Sequence, residues 1–414
     1  MNLFLIPAIF LLIESLWSLR GGFRFLDLVR KSRRAPLGDY CPLAAVIIPC
    51  KGVDDDLRGN AARFLSQDYP VTQLIFAVAS RDDPAYGFLA DLVASSQRGG
   101  ERAAKARVIV AGQPQSNGEK VNNLLAGVAA VNSEAEVLAF ADIDAQPSAD
   151  WLRALVAPLA DRAVTVSTGY RWYLPGAGFG SRLRAAWDTA IAMVYGDHGH
   201  NFAWGGSMAI RAADFRRLRV AERYWQQTVS DDYAITRAVR ESGGTIRFEP
   251  RCLLASRGET SFREFLRWST RQIIITRVYA SHHWRKGLAF YGLYALTFLS
   301  GLTVAVWPGV PASHRIAAVA LLAAILGAGA AKGAVRTRVT REIFPGECEL
   351  LQRYGSCYWK LAPLLPWVMF WNFIVAGFKR RIEWAGAVYE LRSPHELKIL
   401  KRSQSAASAA SGQR

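Results

Sequence analysis

The chain has 414 residues, enough for one large domain or two modest ones, and its 51 Lys plus Arg against 34 Asp plus Glu leave a net charge of +17. Such an excess calls for a polyanionic partner. With no zinc-ligand spacing and no RNA-recognition signature, nucleic acid is set aside in favour of an anionic lipid surface. The cysteines (Cys41, Cys50, Cys252, Cys348, Cys357) are odd in number, scattered and without a CxxC pair, which excludes a disulfide scaffold and suits a reduced, cytosol-facing protein.

Residues 3–18 are nearly all apolar, and positive charge comes after them (Arg20, Arg24, Arg30, Lys31, Arg33, Arg34) instead of before them. A cleaved signal has the opposite order and small residues at a cleavage site, so residues 1–19 read as a retained transmembrane anchor. The positive-inside tendency then places residues 20–45, and the domain beyond them, in the cytosol. That orientation holds whether the membrane is a bacterial inner membrane, the favoured location, or that of the Golgi.

Between 43 and 260 short apolar runs rich in β-formers alternate with amphipathic stretches. The runs are Ala44–Pro49, Gln73–Ala79, Arg107–Ala111, Glu136–Ala141, Ala163–Thr168 and Thr245–Glu249. The stretches lie near 56–66, 85–97, 119–131, 149–160, 181–195 and 232–242. This alternation predicts an α/β domain, a mostly parallel sheet with flanking helices, whose ligands bind outside the carboxyl ends of the strands. Residues 261–285 are predicted to form an Arg-rich amphipathic helix at the membrane interface. Residues 286–385 form a C-terminal membrane region, with 288–307 and 316–331 apolar enough to span. Residues 361–378 are interrupted by Pro363 and Pro366, and a full crossing would leave Lys379-Arg380-Arg381 on the wrong side. A re-entrant or surface hairpin is expected there. The Ser/Ala-rich tail 403–414 is expected to be disordered.

Three acidic stations stand out. Asp142 and Asp144 come directly after the buried run Ala139-Phe140-Ala141 at i and i+2, where they share one side of an extended chain and repel unless a cation lies between them. A hard divalent ion, Mg2+ or Mn2+, held by these carboxylates and by substrate phosphates answers that repulsion and points to a nucleotide diphosphate. Asp82-Asp83 precedes Pro84 and reads either as a helix cap or as a carboxylate accepting from a nucleotide base. Ser230-Asp231-Asp232 reads either as a capped first turn or as the source of a general base. Lys120 opens a helix where backbone N–H groups and an ammonium could meet phosphate, and Gly205-Gly206-Ser207 is either a simple turn or a close backbone approach to a ligand. The pairs His198/His200 and His282/His283 lack further ligand spacing.

In order and spacing these residues resemble the ceramide glucosyltransferase branch of inverting, GT-A-fold glycosyltransferases. The resemblance runs through Lys51-Gly52-Val53-Asp54 with Leu57 and Asn60, Asp68-Tyr69-Pro70, Asp82-Asp83-Pro84-Ala85 and Lys120-Val121-Asn122-Asn123-Leu124. It continues through the Asp142 station, Gly206-Ser207-Met208, Asp231-Asp232-Tyr233 and Arg267-Trp268. It implies a UDP-sugar donor, such as UDP-glucose, and a membrane lipid hydroxyl as acceptor, ceramide being the model case. It also implies Asp232 as general base and Lys51, Asp83, Lys120, Gly206, Asp231, Arg267 and Trp268 as donor contacts, with Asp142 and Asp144 holding the Mg2+ or Mn2+. Arg267 and Trp268 would close over the diphosphate. Two departures are visible: Glu264 replaces the Gln or Arg that opens the family's (Q/R)-x-x-R-W, and Asp144 completes a D-x-D that the animal ceramide enzymes lack. Competing expectations are a hopanoid-type lipid glycosyltransferase and a processive polysaccharide synthase, for which two or three spans hardly supply a channel. A membrane-anchored degenerate transferase that only binds is the non-enzyme alternative.

Overall fold

The computed structural model describes residues 2–53, 56–97 and 106–402. Asp54 and the tail 403–414 lie outside the described residues. By contacts the chain divides into two compact units, one of Ser32–Arg171, Asp197–Ser256 and Arg380–Arg414, the other of Met1–Lys31, Trp172–Gly196 and Arg257–Lys379.

The first unit is built on a seven-stranded sheet of order β3-β2-β1-β4-β6-β5-β7. Its strands are β1 (Ala44–Pro49), β2 (Val71–Val78), β3 (Ala106–Val110), β4 (Val137–Ala141), β5 (Val164–Tyr173), β6 (Ser207–Arg211) and β7 (Thr245–Ser256). β1 lies parallel to β2 and β4, and β2 to β3, while β6 runs antiparallel to both β4 and β5. The alternation along β1 shows why the strand forms where it does. Ala44, Val46 and Ile48 face one core with Phe76, Trp151 and Leu155, while Ala45 and Ile47 face another with Leu124, Phe140 and Trp225. A sheet buried on both faces needs apolar residues at every position, which is the composition of Ala-Ala-Val-Ile-Ile-Pro.

Because β1, β2 and β4 are parallel, their carboxyl ends share one edge of the sheet. That edge carries Lys51, the Ser80–Pro84 turn and Asp142. β6 and a second sheet, of order β10-β9-β8, were not foreseen from the sequence. The second sheet comprises β8 (Arg381–Trp384), β9 (Ala387–Ser393) and β10 (Glu396–Lys401). Its first hairpin turns at Ala385 and Gly386, with φ of 48° and 80°, a left-handed pair that fits a two-residue connection.

The second unit is helical. Three helices are long and apolar enough to cross a membrane: Phe4–Arg34, Ser281–Val306 and Ala312–Ile343. The first does not stop at Ser18 but continues through the basic segment to Arg34. The whole helix, Asn2–Arg34, has 33 residues and reaches about 50 Å, well beyond an apolar bilayer core of about 30 Å. Phe4, Ala8 and Leu11 pack with Tyr294, Ala318, Leu322 and Ile325. Gly301 admits the Phe4 ring where any larger residue would meet it, the small-residue packing that helices use in lipid. The Pro-containing segment forms the helix Leu365–Phe378, whose 14 residues reach about 21 Å, short of a crossing. Its fully buried Asn372 accepts from Ser269 (3.3 Å) and Thr270 (3.0 Å) of the helix Phe262–Tyr279.

Candidate donor-binding and catalytic site

Strand pairing assembles the centre of the site. β4 and β6 run antiparallel with Ala141 opposite Ser207, so the residue after one strand meets the residue before the other, and Asp142 N–H donates to the Gly206 carbonyl at 3.3 Å. Trp151 fixes this corner from beneath: it is fully buried, and its Nε1 donates to Ser207 Oγ at 2.9 Å. The two glycines have a steric reason. A Cβ at Gly205 would collide with the Asp231 carboxylate, and one at Gly206 would meet the Trp204 ring and, at 2.7 Å, Asp142 Oδ2. The run Gly205-Gly206-Ser207 thus turns the chain and lets two carboxylates press against bare backbone.

Two cations neutralise those carboxylates. Lys120 Nζ, one residue into the helix Glu119–Ala129, lies 2.8 Å from Asp142 Oδ1 and 3.2 Å from Asp231 Oδ1. Arg171, near the end of β5, holds both oxygens of Asp144 (2.6 and 2.7 Å) and reaches Asp142 Oδ2 at 3.0 Å. Its guanidinium also lies over the Trp204 ring, 5.3 Å from the centroid. Sequence reasoning missed Arg171, which stands in no motif and is recruited only through the β5–β6–β4 order.

The electrostatics are set by burial and charge. Burial opposes the charge on Lys120, but Asp142, Asp231 and Asp232 outweigh it and hold the ammonium well above its usual range. Burial likewise raises Asp142, yet Lys120 and Arg171 overcome it and keep the carboxyl below its ordinary value. Asp231 goes the other way. Burial, against the pull of Lys120 and aided by Asp232 and Asp142, pushes its carboxyl up to about 7.

Asp232 is the more open of the Asp231-Asp232 pair. Ser230 caps the helix Asp231–Glu241, accepting from Tyr233 N–H, and donates its hydroxyl to Asp232 Oδ1, which also accepts from Tyr233 N–H at 2.7 Å. Of the two readings of the Ser230-Asp231-Asp232 station, the contacts show the capped first turn. Asp231 is buried in the ion pair with Lys120, and Asp232 is oriented at a half-buried position.

Asp83 is held by two backbone donors, one of them the expected helix-start turn. Its Oδ1 accepts from Ala85 N–H at 2.9 Å, a local turn at the start of the helix Pro84–Gln97, and from Gly52 N–H at 2.8 Å, across the β1 and β2 ends. Lys51 pairs with Glu119 at 2.7 Å and donates to the Ala385 carbonyl at 2.7 Å, at the tip of the β8–β9 hairpin. The buried Tyr389 hydroxyl in β9 accepts from Glu119 N–H at 3.3 Å. The C-terminal sheet thereby braces both Lys51 and the helix start that carries Lys120. Among the described residues no three His, Cys, Asp or Glu side chains gather as a metal cage, the four paired histidines included.

Arg267 and Trp268 belong to the helical unit. Trp268 packs edge-on against Trp187 (5.0 Å) and Tyr173 (5.5 Å), while Arg267 is exposed. Glu264 is explained locally: it is the third residue of the helix Phe262–Tyr279 and forms a capping box with Ser261, each side chain accepting from the other's backbone N–H. Those backbone and hydroxyl donors from Ser261 hold its carboxyl below the usual range. Gln fills the same capping role, so Glu264→Gln is expected to leave the thermal unfolding midpoint within about 2 °C of wild type. A drop of several degrees in a melting curve would show that the charge itself is required.

A mostly parallel sheet thus carries an Asp-x-Asp station, a helix-borne lysine and an Asp-Asp helix start along one edge, the arrangement that the resemblance to GT-A-fold glycosyltransferases leads one to expect. The chain belongs to glycosyl transferase family 21, whose profile it matches over residues 3–397. Among solved structures it is distantly similar to a mannosyltransferase from Pyrobaculum calidifontis in complex with GDP-Man and Mn2+, at 13% identity and a TM-score of 0.47, covering 90% of this chain and 97% of that one. It is also similar to glucosyl-3-phosphoglycerate synthase from Mycobacterium tuberculosis in complex with Mn2+ and UDP-glucose, at 16% identity and a TM-score of 0.38, covering 61% and 82%. A third is GalNAc-T7 with UDP, GalNAc and Mn2+, at 12% identity and a TM-score of 0.39, covering 60% and 54%.

Proposed function

We propose that this glycosyltransferase moves a sugar, glucose from UDP-glucose in the first instance, to the hydroxyl of a membrane lipid such as ceramide, with inversion at the anomeric carbon. The observation that carries the reading is the pairing of Asp142 with both Lys120 and Arg171 beside Asp144, a cluster in which carboxylates and cations alternate at the carboxyl edge of the sheet. The residues fit a divalent cation, because Asp142 and Asp144 already converge on one positive group and so present oxygen donors to a common point. Two carboxylates are fewer than a full cage, which leaves the other positions of Mg2+ or Mn2+ to diphosphate oxygens and water. When bound, the ion stabilises the charge that develops on the departing UDP.

The chain's own residues do the rest. Asp232 takes the proton of the acceptor hydroxyl as its oxygen attacks the anomeric carbon, and the bond from that carbon to the β-phosphate oxygen breaks with its electron pair leaving on UDP. UDP leaves without protonation, so one carboxylate suffices where glycosidases need two. Lys120, at the opening of the Glu119–Ala129 helix, would offer its ammonium to a phosphate of the donor. Asp83, through Gly52, fixes the loop after β1 against which the nucleotide would lie. Family resemblance adds Lys51, Gly206, Asp231, Arg267 and Trp268 as donor contacts. The three long apolar helices and the basic segment to Arg34 support membrane attachment, with the sheet unit in the cytosol of a bacterial cell.

The test is incubation of the purified protein with several labelled nucleotide sugars and total membrane lipid, with mass spectrometry of the product. A glycosylated lipid formed from UDP-glucose alone supports the reading; product from another donor, or none in the lipid fraction, replaces it. Asp142→Ala is expected to lose the metal-dependent part of UDP affinity, about tenfold or more, in titrations with and without Mn2+. Equal affinity in the variant and wild type under both conditions sinks the ion assignment.

A further inference from the structure

Arg171 holds the carboxylates that the ion would need. Its two terminal nitrogens engage both oxygens of Asp144 and one oxygen of Asp142, and Lys120 takes the other oxygen of Asp142. All four carboxylate oxygens of the Asp-x-Asp station are therefore already paired with protein cations. The arrangement is not a loose surface contact: the Arg171 side chain is only 13% exposed, its fork matches Asp144 in two parallel bonds, and Trp204 supports its face.

We propose that Arg171 occupies the seat of the divalent cation while no nucleotide is bound, and that donor binding releases it to the diphosphate. This rests on the reading of Asp142 and Asp144 as ion ligands. An ion bonded to those oxygens at about 2.1 Å would lie within a few ångströms of a guanidinium bonded to the same oxygens, and like charges so close exclude one another. A nucleotide diphosphate changes the balance. It brings negative charge that can receive the guanidinium bidentately, which frees the carboxylates for the ion. Metal and nucleotide then bind with positive coupling, and by linkage each tightens the other by the same factor. The apparent affinity for metal alone is lowered by the small fraction of protein in which Arg171 has left its seat. A chain built this way keeps its station closed to free divalent ions until the donor arrives.

The experiment is Mn2+ binding to the metal-free full chain in detergent, monitored by the electron paramagnetic resonance signal of free aqueous Mn2+, with and without UDP. Wild type is expected to bind Mn2+ at least about tenfold more tightly with UDP than without it, and Arg171→Gln to bind Mn2+ about tenfold more tightly than wild type when UDP is absent. Arg171→Lys keeps the charge but not the fork and is expected to fall between them; it carries the test if Arg171→Gln does not fold. Wild type and both variants binding Mn2+ equally without UDP overturns the role of Arg171 while leaving the ion assignment standing. No Mn2+ bound by any of them, even with UDP, overturns the ion assignment itself and this inference with it.

Discussion

Replacing Asp232 by Asn is expected to leave UDP binding within about threefold of wild type and to lower sugar transfer by about a thousandfold or more. The expectation comes from how the two acids of the Asp231-Asp232 pair differ. Asp231 is 2% exposed and committed to Lys120, so it cannot approach an acceptor without breaking a buried ion pair. Asp232 is half-buried and is oriented by Ser230 and Tyr233 through one oxygen, Oδ1. Asn retains an oxygen that can accept from Tyr233 N–H, so the helix start is kept and only the ability to take a proton is lost. The kinetic signature is a fall in kcat with little change in the KM for donor, the pattern of a group that acts only in the transition state. Turnover within tenfold of wild type, read with labelled donor and lipid extract, removes Asp232 from the base role.

Much of the sheet is visible in the sequence because a strand buried on both faces leaves no polar position. Val137-Leu-Ala-Phe-Ala141, every residue buried, is legible for that reason. β6 is a different case. Its five residues come after Gly205-Gly206, which reads as a turn, and only its pairing with β4 and β5 makes it a strand. The C-terminal sheet is hidden by charge: Arg381, Glu383, Glu390 and Lys398 alternate with Ile382, Tyr389, Leu391 and Ile399, so the period of two is present but weakly apolar.

The candidate site divides in the same way. Short-range chemistry is legible, so the Ser230 cap and the i, i+2 carboxylates can be read directly. Partners far along the chain cannot. The sequence spacing says nothing of why Asp142 should meet Lys120 before it, Arg171 and Gly206 after it, or why Lys51 should meet Ala385. These meetings depend on strand order, and strand order is a property of the whole sheet. Glu264 is the reverse case: it looks anomalous against a family motif and becomes ordinary once Ser261 is seen as its capping partner.

Lys120→Met is expected to destabilise the sheet unit by about 3–5 kcal/mol near pH 8, because it leaves buried carboxylates without their cation. The cost should be smaller at pH 5, and Asp231 sets that sign. Its carboxyl is pushed up to about 7 in the fold, against about 3.9 in an unfolded chain. Between those values the folded state holds the extra proton, so even in wild type this group's contribution to stability falls as pH rises toward 7 and is fully lost above it. Without Lys120 the one opposing pull disappears and the carboxyl rises further, so Asp231 stays neutral at pH 5 and needs no partner there. Above pH 7 it must either ionise in a buried place or remain protonated against the solvent, and both cost stability. Asp142 is less affected, since Arg171 still holds its other oxygen. Thermal unfolding midpoints of wild type and variant at pH 5 and pH 8 separate the cases. A widening gap at pH 8 supports the coupling, whereas an equal gap at both pH values means that Lys120 stabilises through packing of its stem and not through Asp231.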